Sequence, residues 1–402
     1  MQLGWVDFSK EDREKVLDVM NLLQEPGAVD EIGIGVIRDA FANEFFPGTS
    51  TVQTVAKYFL IVPYVLKEAT DGRYGSDLRK ILQKIDDEEK QCGIRLMQNC
   101  PGEDGIIGRR VLPQKWVARR PSSIYWNGIR TYRICTQDIT IPELLKASVL
   151  LQSQKKHVSL GNKGDDAADA EWDDADAGRD LATQFFSVPD DYYNDWRANL
   201  MIDLTPSEAA FLRKMIETSV PTTLLGYLLK NNVDVAKYDS FEAMCEDLGA
   251  DVPMELGRMM KLACDFNRLV YAAHVRYNYV LFNGQNDAAV EEWAYIEENM
   301  PHMMSVDIED VLQTLHISNF HLRRFLTSFK AALLAGDLPA ADQVLINREI
   351  EIKTRNRAKL CKREDYCNFE WIGGRYLDFR FSAAKRILTD IYHGEEGAHV
   401  QD

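Results

Sequence analysis

Residues 253–283 read PMELGRMMKLACDFNRLVYAAHVRYNYVLFN, and this stretch decides the fold class. Its apolar side chains recur at the three- and four-residue spacing of a helix, which predicts one long helix buried at the centre of a helical domain. His274 and Asn278 are polar residues among aromatic ones, and we expect them to be hydrogen-bonded core groups rather than catalytic groups. The apolar positions are Leu256, Met260, Ala263, Phe266, Leu269, Val270, Tyr271, Val275 and Tyr277.

The sequence around this stretch predicts a mainly α protein. Thr205 precedes Pro206, and Glu208 follows three positions after Thr205, which is a capping-box pattern that starts a helix. Further helices are predicted over 205–219, 222–231, 240–248, 287–299, 306–314, 318–335, 339–361 and 382–392.

The N-terminal part mixes helical patterns with two short β-prone runs. Helical spacing recurs over 9–24, 33–45, 52–67 and 76–97. Pro63 is expected to kink or end the third of these helices. Residues 105–111 and 129–134 are the β-prone runs. Helices followed by a short two-stranded element predict an α+β domain with a winged-helix layout.

An acidic, low-complexity segment separates the two parts. Between residues 165 and 195 there are eleven Asp and Glu residues and one Arg. Such a segment buries too little apolar surface to offset the entropy of ordering it, so we expect a mobile linker. The predicted domains are an α+β domain over 1–150, an acidic linker over 151–200 and a helical domain over 201–402.

Residues 105–133 form a basic island in a chain of 402 residues with a formal net charge of −16. The basic island contains no Asp or Glu, and Trp116, Tyr125, Trp126 and Tyr132 lie between its cations. Local patches rather than net charge govern binding to polyanions, so this composition favours nucleic acid as a ligand. The seven cations are Arg109, Arg110, Lys115, Arg119, Arg120, Arg130 and Arg133.

The basic island has three interpretations that the sequence leaves open. In the first, cations such as Arg119 and Arg120 contact phosphates, and Tyr125 or Trp126 stacks on bases. In the second, the cations pair with the excess carboxylates of the chain and the aromatic residues are core. In the third, the acidic segment occupies the basic groove as a mimic of nucleic acid until a partner displaces it.

A second basic stretch covers 348–363, with seven Lys and Arg residues. Glu349 and Lys353, and likewise Glu351 and Arg355, are four residues apart, which stabilises a helix. The stretch is typical of a charged surface helix. It also fits a second polyanion contact through Arg355 and Arg357, or an interface for a partner. The predicted nucleic-acid-binding residues are Arg109, Arg110, Lys115, Arg119, Arg120, Tyr125, Trp126, Arg130, Arg355 and Arg357.

The sequence carries no catalytic signature. It has no phosphate-binding glycine loop, and His302, His316 and His321 do not form a zinc-binding pattern. Cys361 and Cys367 lack a second pair of ligands at zinc-like spacing. We therefore expect no metal, no cofactor and no enzymatic activity, and the alternative is a metal-dependent nuclease without a recognisable motif. The scattered, odd number of cysteines and the lack of a signal or membrane segment predict a cytoplasmic protein.

Several strings resemble the bacterial DUF6361 family. They are LGWVDFS at 3–9, EIGIGVIRDAF at 31–41, FFPGTSTVQT at 45–54, YFLIVP at 58–63, PSSIYWNGI at 121–129, REIEIKTRNRAKL at 348–360 and YLDFRF at 376–381. The family has no established activity, so the resemblance implies no catalytic residues. It implies a setting in bacterial anti-phage defence, beside helicase and nuclease proteins. The function expected is thus a non-enzymatic defence component that binds a co-encoded helicase or nuclease and DNA, or a purely structural adaptor between proteins.

Overall fold

The computed structural model describes residues 30–161, 185–193, 195–249, 251–366 and 368–397, with side chains outside 155–161. The predicted helix over 9–24 and most of the predicted acidic linker therefore lie outside the described residues. Across the described ranges, no helix is both long enough and apolar enough to cross a membrane.

Helices are the main regular structure of the described part of the chain, and short 3-10 helices cover Val235–Lys237, Lys359–Cys361 and Arg363–Asp365. The α-helices are α1 (Gly35–Phe45), α2 (Tyr58–Thr70), α3 (Leu78–Asn99), α4 (Pro121–Thr131), α5 (Ile141–Gly161), α6 (Pro206–Ser219), α7 (Leu224–Lys230), α8 (Phe241–Leu248), α9 (Met254–Leu281), α10 (Asp287–Glu298), α11 (Met300–Met303), α12 (Ile308–Thr314), α13 (Phe320–Leu334), α14 (Leu338–Lys353) and α15 (Phe381–Glu396).

The predicted α+β N-terminal part with a winged-helix layout is wrong. The described residues contain no strand, and the β-type pairing found among them is one isolated bridge between Cys135 and Phe186. Residues 105–111 form turns instead, in which Gly105 and Gly108 have φ angles of +95° and +84°. Left-handed backbone at two glycines so close together interrupts a strand, so the β-prone residues between them never align in a ladder.

The second β-prone run, 129–134, begins as the last turn of α4. Pro121 occupies the first helical position, where its fixed φ and missing N–H suit a helix start. Tyr125 and Ile129, four residues apart, are both buried on the inner face of α4. At the start of this run, the helical spacing of buried residues and the helix start at Pro121 therefore outweigh the local β propensity.

The helices predicted for the C-terminal part are confirmed, and their ends lie near the predicted ones. The capping box is present, because the Thr205 hydroxyl accepts from Glu208 N at 3.2 Å and Glu208 Oε2 accepts from Thr205 N at 2.8 Å. One helix is shorter than predicted: α14 ends at Lys353, since Thr354 has a φ of +68°. Pro63 does not end α2, in which every residue from Tyr58 to Thr70 is buried.

The chain divides into two compact units, each built from two separate stretches. Unit 1 comprises the residues up to Phe41 together with Phe241–Phe379. Unit 2 comprises Ala42–Ser240 and the residues from Arg380 onward. The domain boundaries predicted near residues 150 and 200 were based on amino-acid composition, and they stay a prediction.

Unit 1 is built around α9, which is buried along most of its length. The Phe266 ring on α9 packs against Phe41 with ring centroids 6.0 Å apart. Asn267 and Asn278 hydrogen-bond to the backbone of Leu377 and Ile372. The prediction that Asn278 is a hydrogen-bonded core residue is thereby confirmed.

Unit 2 is built around α2, which packs against α3 and α4. The Phe59 ring on α2 meets the Tyr125 ring edge-on at 4.9 Å between centroids. Just before α2, the buried Lys57 Nζ donates to Glu208 Oε2 at 2.5 Å and to Asp203 O at 3.1 Å. Glu208 therefore caps α6 and neutralises the buried Lys57 at the same time.

Candidate nucleic-acid interface

The basic island lies in unit 2, on the turns that follow α3 and on α4. Backbone groups fix its first turns, since Thr54 Oγ1 donates to Gly105 O at 2.6 Å and Ile107 N donates to the Tyr58 hydroxyl at 2.9 Å. At Gly108, a Cβ atom would come within 3.0 Å of the Trp116 ring. This part of the basic island is therefore held against the core of unit 2 rather than extended from it.

Asp86 on α3 fixes the segment that leads into α4. Trp116 Nε1 donates to Asp86 Oδ1 at 2.8 Å, and Arg120 Nε lies 2.6 Å from the same oxygen. The Arg120 side chain remains 48% exposed, so its pair with Asp86 is close to solvent. A surface pair of this kind contributes about 0–1 kcal/mol, and Arg120 can exchange Asp86 for another anion at little cost.

Glu89, one turn further along α3, caps the start of α4. Ser122 N donates to Glu89 Oε1 at 2.7 Å, and Ser122 Oγ donates to Glu89 Oε2 at 3.1 Å. A carboxylate at a helix N-terminus is stabilised by the unpaired N–H groups and the helix dipole. Burial nevertheless raises the pKa of Glu89 to about 7, against the opposing effect of the Ser122 hydrogen bonds.

Tyr125 and Trp126 are core residues of unit 2. Tyr125 is 0% exposed, and its hydroxyl accepts from Thr54 N at 2.7 Å and donates to Val55 O at 2.8 Å. Trp126 is 9% exposed, and its Nε1 donates to Ile139 O at 3.1 Å. Neither ring offers a face on which a base can stack in this conformation.

Three cations of the basic island pair with nearby acceptors. Arg130 Nη1 lies 2.7 Å from Asp138 Oδ1. Arg109 lies 3.5 Å from Asp104 and also donates to Glu103 O. Arg120 pairs with Asp86 as described above, and the half-buried Arg119 has a further interaction within the chain.

The other three cations are Arg110, Lys115 and Arg133, and all of them are exposed. None of the three forms an ion pair within the described residues. Arg133 has a φ of +57°, and the next two backbone N–H groups, of Ile134 and Cys135, donate back to Ile129 O at the end of α4. These side chains give the basic island its free positive charge.

A cavity of about 630 Å³ lies beside the end of α4. Arg130 and Arg133 supply its positive charge, and Asp138 supplies a carboxylate. The remaining lining residues are polar or small: Asn127, Thr131, Cys135, Thr136 and Gln137. Arg133 belongs to the basic island but is not among the predicted binding residues. The positions of the charges along the sequence do not show which side chains line a cavity.

Arg355 and Arg357 lie in unit 1, in the turn that follows α14. Both are exposed, as a polyanion contact requires. The predicted pair of Glu349 with Lys353 is confirmed at 3.1 Å, whereas Glu351 lies next to Arg348 and Arg324. The stretch 348–363 therefore presents a charged surface, but helix α14 ends at Lys353, before Arg355.

No group of three or more His, Cys, Asp or Glu residues in the described ranges is arranged to hold a metal ion. The described cysteines are Cys92, Cys100, Cys135, Cys245, Cys264 and Cys361, and all of these are free thiols. Cys367 lies outside the described residues.

Comparison with known protein families matches residues 1–150 to the model of DUF6361, a family of unknown function. These residues belong to the DUF6361 family. The DUF6361 match contains the basic island, with its Asp86 and Glu89 supports, and ends within α5. No curated protein and no solved structure matches the chain. DUF6361 membership therefore assigns no activity, and the resemblance of the strings beyond residue 150 stays a prediction.

Proposed function

We propose that this protein is a non-enzymatic nucleic-acid-binding component that contacts phosphates through the basic island. The observation that carries the proposal is the exposure of Arg110, Lys115 and Arg133 in a segment that contains no carboxylate. In a chain with a formal net charge of −16, such a segment is the favoured contact for a polyanion.

The burial of Tyr125 and Trp126 limits the ways in which the basic island can bind a nucleic acid. Cations that reach only phosphates neutralise the backbone and release counterions, which gives salt-dependent binding without sequence preference. Base stacking, which single-strand binders use, is not expected from these two aromatic residues. The proposed ligand is therefore the sugar–phosphate backbone of DNA, in single- or double-stranded form.

The proposed partner is a co-encoded helicase or nuclease, and the proposed setting is anti-phage defence. The DUF6361 resemblance is the sole support for both. Co-purification of the full chain with its neighbour-encoded proteins from a native host tests this part. Recovery of a helicase or nuclease supports it, and recovery of the protein without either one contradicts it.

DNA binding is tested by fluorescence anisotropy on the full chain at low salt. The Arg110→Glu/Lys115→Glu variant replaces two exposed cations of the basic island. The matched control is Lys214→Glu/Lys230→Glu, which changes charge by the same amount at exposed positions elsewhere in unit 2. Loss of binding in the first variant alone supports the proposal.

Two outcomes contradict the proposal. If wild-type protein does not bind DNA at low salt, the basic island is structural and the protein is an adaptor between proteins. If purified protein cleaves DNA with Mg²⁺ or Mn²⁺, and the cleavage survives in the two charge-reversal variants, the protein is a nuclease.

A further inference from the structure

Helices α13 and α14 of unit 1 form an antiparallel hairpin whose turn contains Gly336, with a φ of +70°. His321 and Glu351 are equally far from Gly336 along the chain, and so are Arg324 and Arg348. This symmetry places each pair opposite one another across the hairpin. The side chains meet in a groove of about 390 Å³, here called the α13–α14 groove.

The α13–α14 groove is rich in hydrogen-bond donors. Its walls hold Arg324, Arg348 and His321, with Ser328 and Asn347 further along the same two helix faces. Spacings of three and four residues, as in 321, 324 and 328, keep these groups on one face of a helix. Arginines, an imidazole, a hydroxyl and an amide together are the donors that proteins use for phosphate.

Arg348 is the fixed cation of the α13–α14 groove. Its side chain is 7% exposed, and it donates from Nε to Ile32 O and from Nη2 to Gly33 O, each at 2.9 Å. These bonds hold the guanidinium in one orientation, so it needs no ordering when a ligand binds. Arg324 is 56% exposed and supplies the accessible cation.

Glu351 is the acidic lining residue of the α13–α14 groove, and it accepts from all three basic groups. Arg324 Nη2 lies 2.9 Å from its Oε1, Arg348 Nη1 lies 3.0 Å from its Oε2, and His321 Nδ1 contacts its Oε1. The summed positive charge of Arg324 and Arg348 is larger than the negative charge of the Glu351 carboxylate. The groove therefore keeps a positive charge that a second, mobile anion can neutralise.

An exposed aromatic ring contacts two of the residues that line the groove. Phe320 is 67% exposed at the start of α13. The Arg324 guanidinium lies over this ring at 5.8 Å, and the His321 ring meets it edge-on with centroids 5.8 Å apart. A planar base that stacks on Phe320 would thus have its phosphate within the reach of the same two side chains.

We propose that the α13–α14 groove binds a mononucleotide, with its phosphate on Arg324 and Arg348 and its base against Phe320. The groove volume lies within the range of about 300–1,000 Å³ found for small-molecule sites. This site belongs to unit 1, whereas the basic island belongs to unit 2, so the proposal does not rest on DNA binding by the basic island.

Isothermal titration of the full chain with adenosine 5′-monophosphate, adenosine and inorganic phosphate tests the proposal. The monophosphate is expected to bind, inorganic phosphate to compete more weakly, and adenosine not to bind. Arg324→Gln is expected to weaken binding of the monophosphate by at least about tenfold, because a charge-assisted hydrogen bond is lost. Arg323→Gln is the matched control, since Arg323 pairs with Glu309 instead of lining the groove.

Three further variants extend the test. Glu351→Gln removes the competing carboxylate and is expected to tighten binding of the monophosphate. Phe320→Ala is expected to weaken the monophosphate but not inorganic phosphate. Lys214→Glu/Lys230→Glu, a charge reversal at exposed positions of unit 2, is the control and is expected to leave this binding unchanged.

Several results would overturn the proposal. They are the absence of monophosphate binding, equal binding of adenosine and the monophosphate, and equal losses in Arg323→Gln and Arg324→Gln. Weaker binding in Glu351→Gln would also overturn it. Inorganic phosphate that binds as tightly as the monophosphate would refute the nucleotide assignment.

Discussion

Asn267 and Asn278 lie eleven residues apart on α9, and each pairs through its side-chain amide with one backbone residue of the segment 372–377. The later helix residue, Asn278, bonds to the earlier segment residue, Ile372, so the segment runs antiparallel to α9 and is held at both ends. Between these ends, the Tyr376 ring stacks on Tyr271 at 3.9 Å.

The Asn278→Ala variant tests this clamp. Asn278 is 0% exposed, donates to Ile372 O at 2.9 Å and accepts from Ile372 N at 2.8 Å. Its loss leaves two backbone groups without a partner, at a cost of about 1–3 kcal/mol each if they stay buried. Thermal unfolding should show a lower Tm, and hydrogen exchange should show faster exchange of the Ile372 amide.

Asn299→Ala is the control for the clamp, because the partner of the Asn299 side-chain amide among the described residues is Tyr295 O, in the preceding helical turn. It is expected to change stability by no more than about 0.5 kcal/mol. Equal losses in the two variants would contradict the clamp.

Glu89 makes the stability of unit 2 depend on pH. Its native pKa of about 7 exceeds the value of about 4.3 for an unfolded Glu, so the native state holds the proton more tightly. This stabilisation is complete below pH ~4.3 and is lost as the pH rises through about 7. Asp390, whose pKa burial raises to about 6, acts in the same direction.

Glu89→Gln is therefore expected to gain stability relative to wild type as the pH rises from 5 to 8. A pKa difference of one unit corresponds to about 1.4 kcal/mol, so the gain is a few kcal/mol at most. Tm measured against pH gives the difference curve, and Glu103→Gln, at an exposed carboxylate, serves as control. A flat difference curve for Glu89→Gln would show that the carboxyl titrates normally.

Lys57 and Glu208 form a buried pair whose separation should be costly. Their side chains are 5% and 10% exposed. Lys57→Met leaves the Glu208 carboxylate buried without its cation, at a cost of about 3–5 kcal/mol. Lys57→Met/Glu208→Gln should lose less than the two single variants together in a double-mutant cycle from urea unfolding. Additive losses would mean that the two groups do not depend on each other.

We expect the Trp126 side chain to make no contribution to DNA binding. The indole is 9% exposed and hydrogen-bonded to Ile139 O, so a bound base has no access to its face. The Trp126→Phe variant is expected to have a lower Tm, because a buried hydrogen bond and core volume are lost, but to bind single-stranded DNA with unchanged affinity in anisotropy measurements well below that Tm. A tenfold loss of affinity in the folded variant would mean that the ring is released for stacking.

The sequence predicts the helices that have strong periodicity or clear start signals. α9 follows from apolar spacing alone, and α6 follows from the Thr205–Glu208 capping box and Pro206. The sequence misleads where local propensity and tertiary packing disagree. Residues 129–134 are β-prone, yet burial of Ile129 on the inner face of α4 favours a helix there.

The candidate sites are predicted only in part, for a physical reason. Charge along the chain reveals the basic island, because its cations are close in sequence. It does not reveal that Tyr125 is buried, since an aromatic residue has the same spacing in a core and on a binding surface. It also misses His321 and Glu351, which are thirty residues apart and meet only when the hairpin forms.

The salt dependence of DNA binding tests the central claim most directly. The logarithm of the affinity should fall linearly with the logarithm of salt concentration, by about 0.9 for each phosphate neutralised on duplex DNA. Arg110→Glu/Lys115→Glu should reduce this slope by about 1.8 or more, and Lys214→Glu/Lys230→Glu should leave it unchanged. A slope that is the same in wild type and both variants would contradict phosphate binding by the basic island.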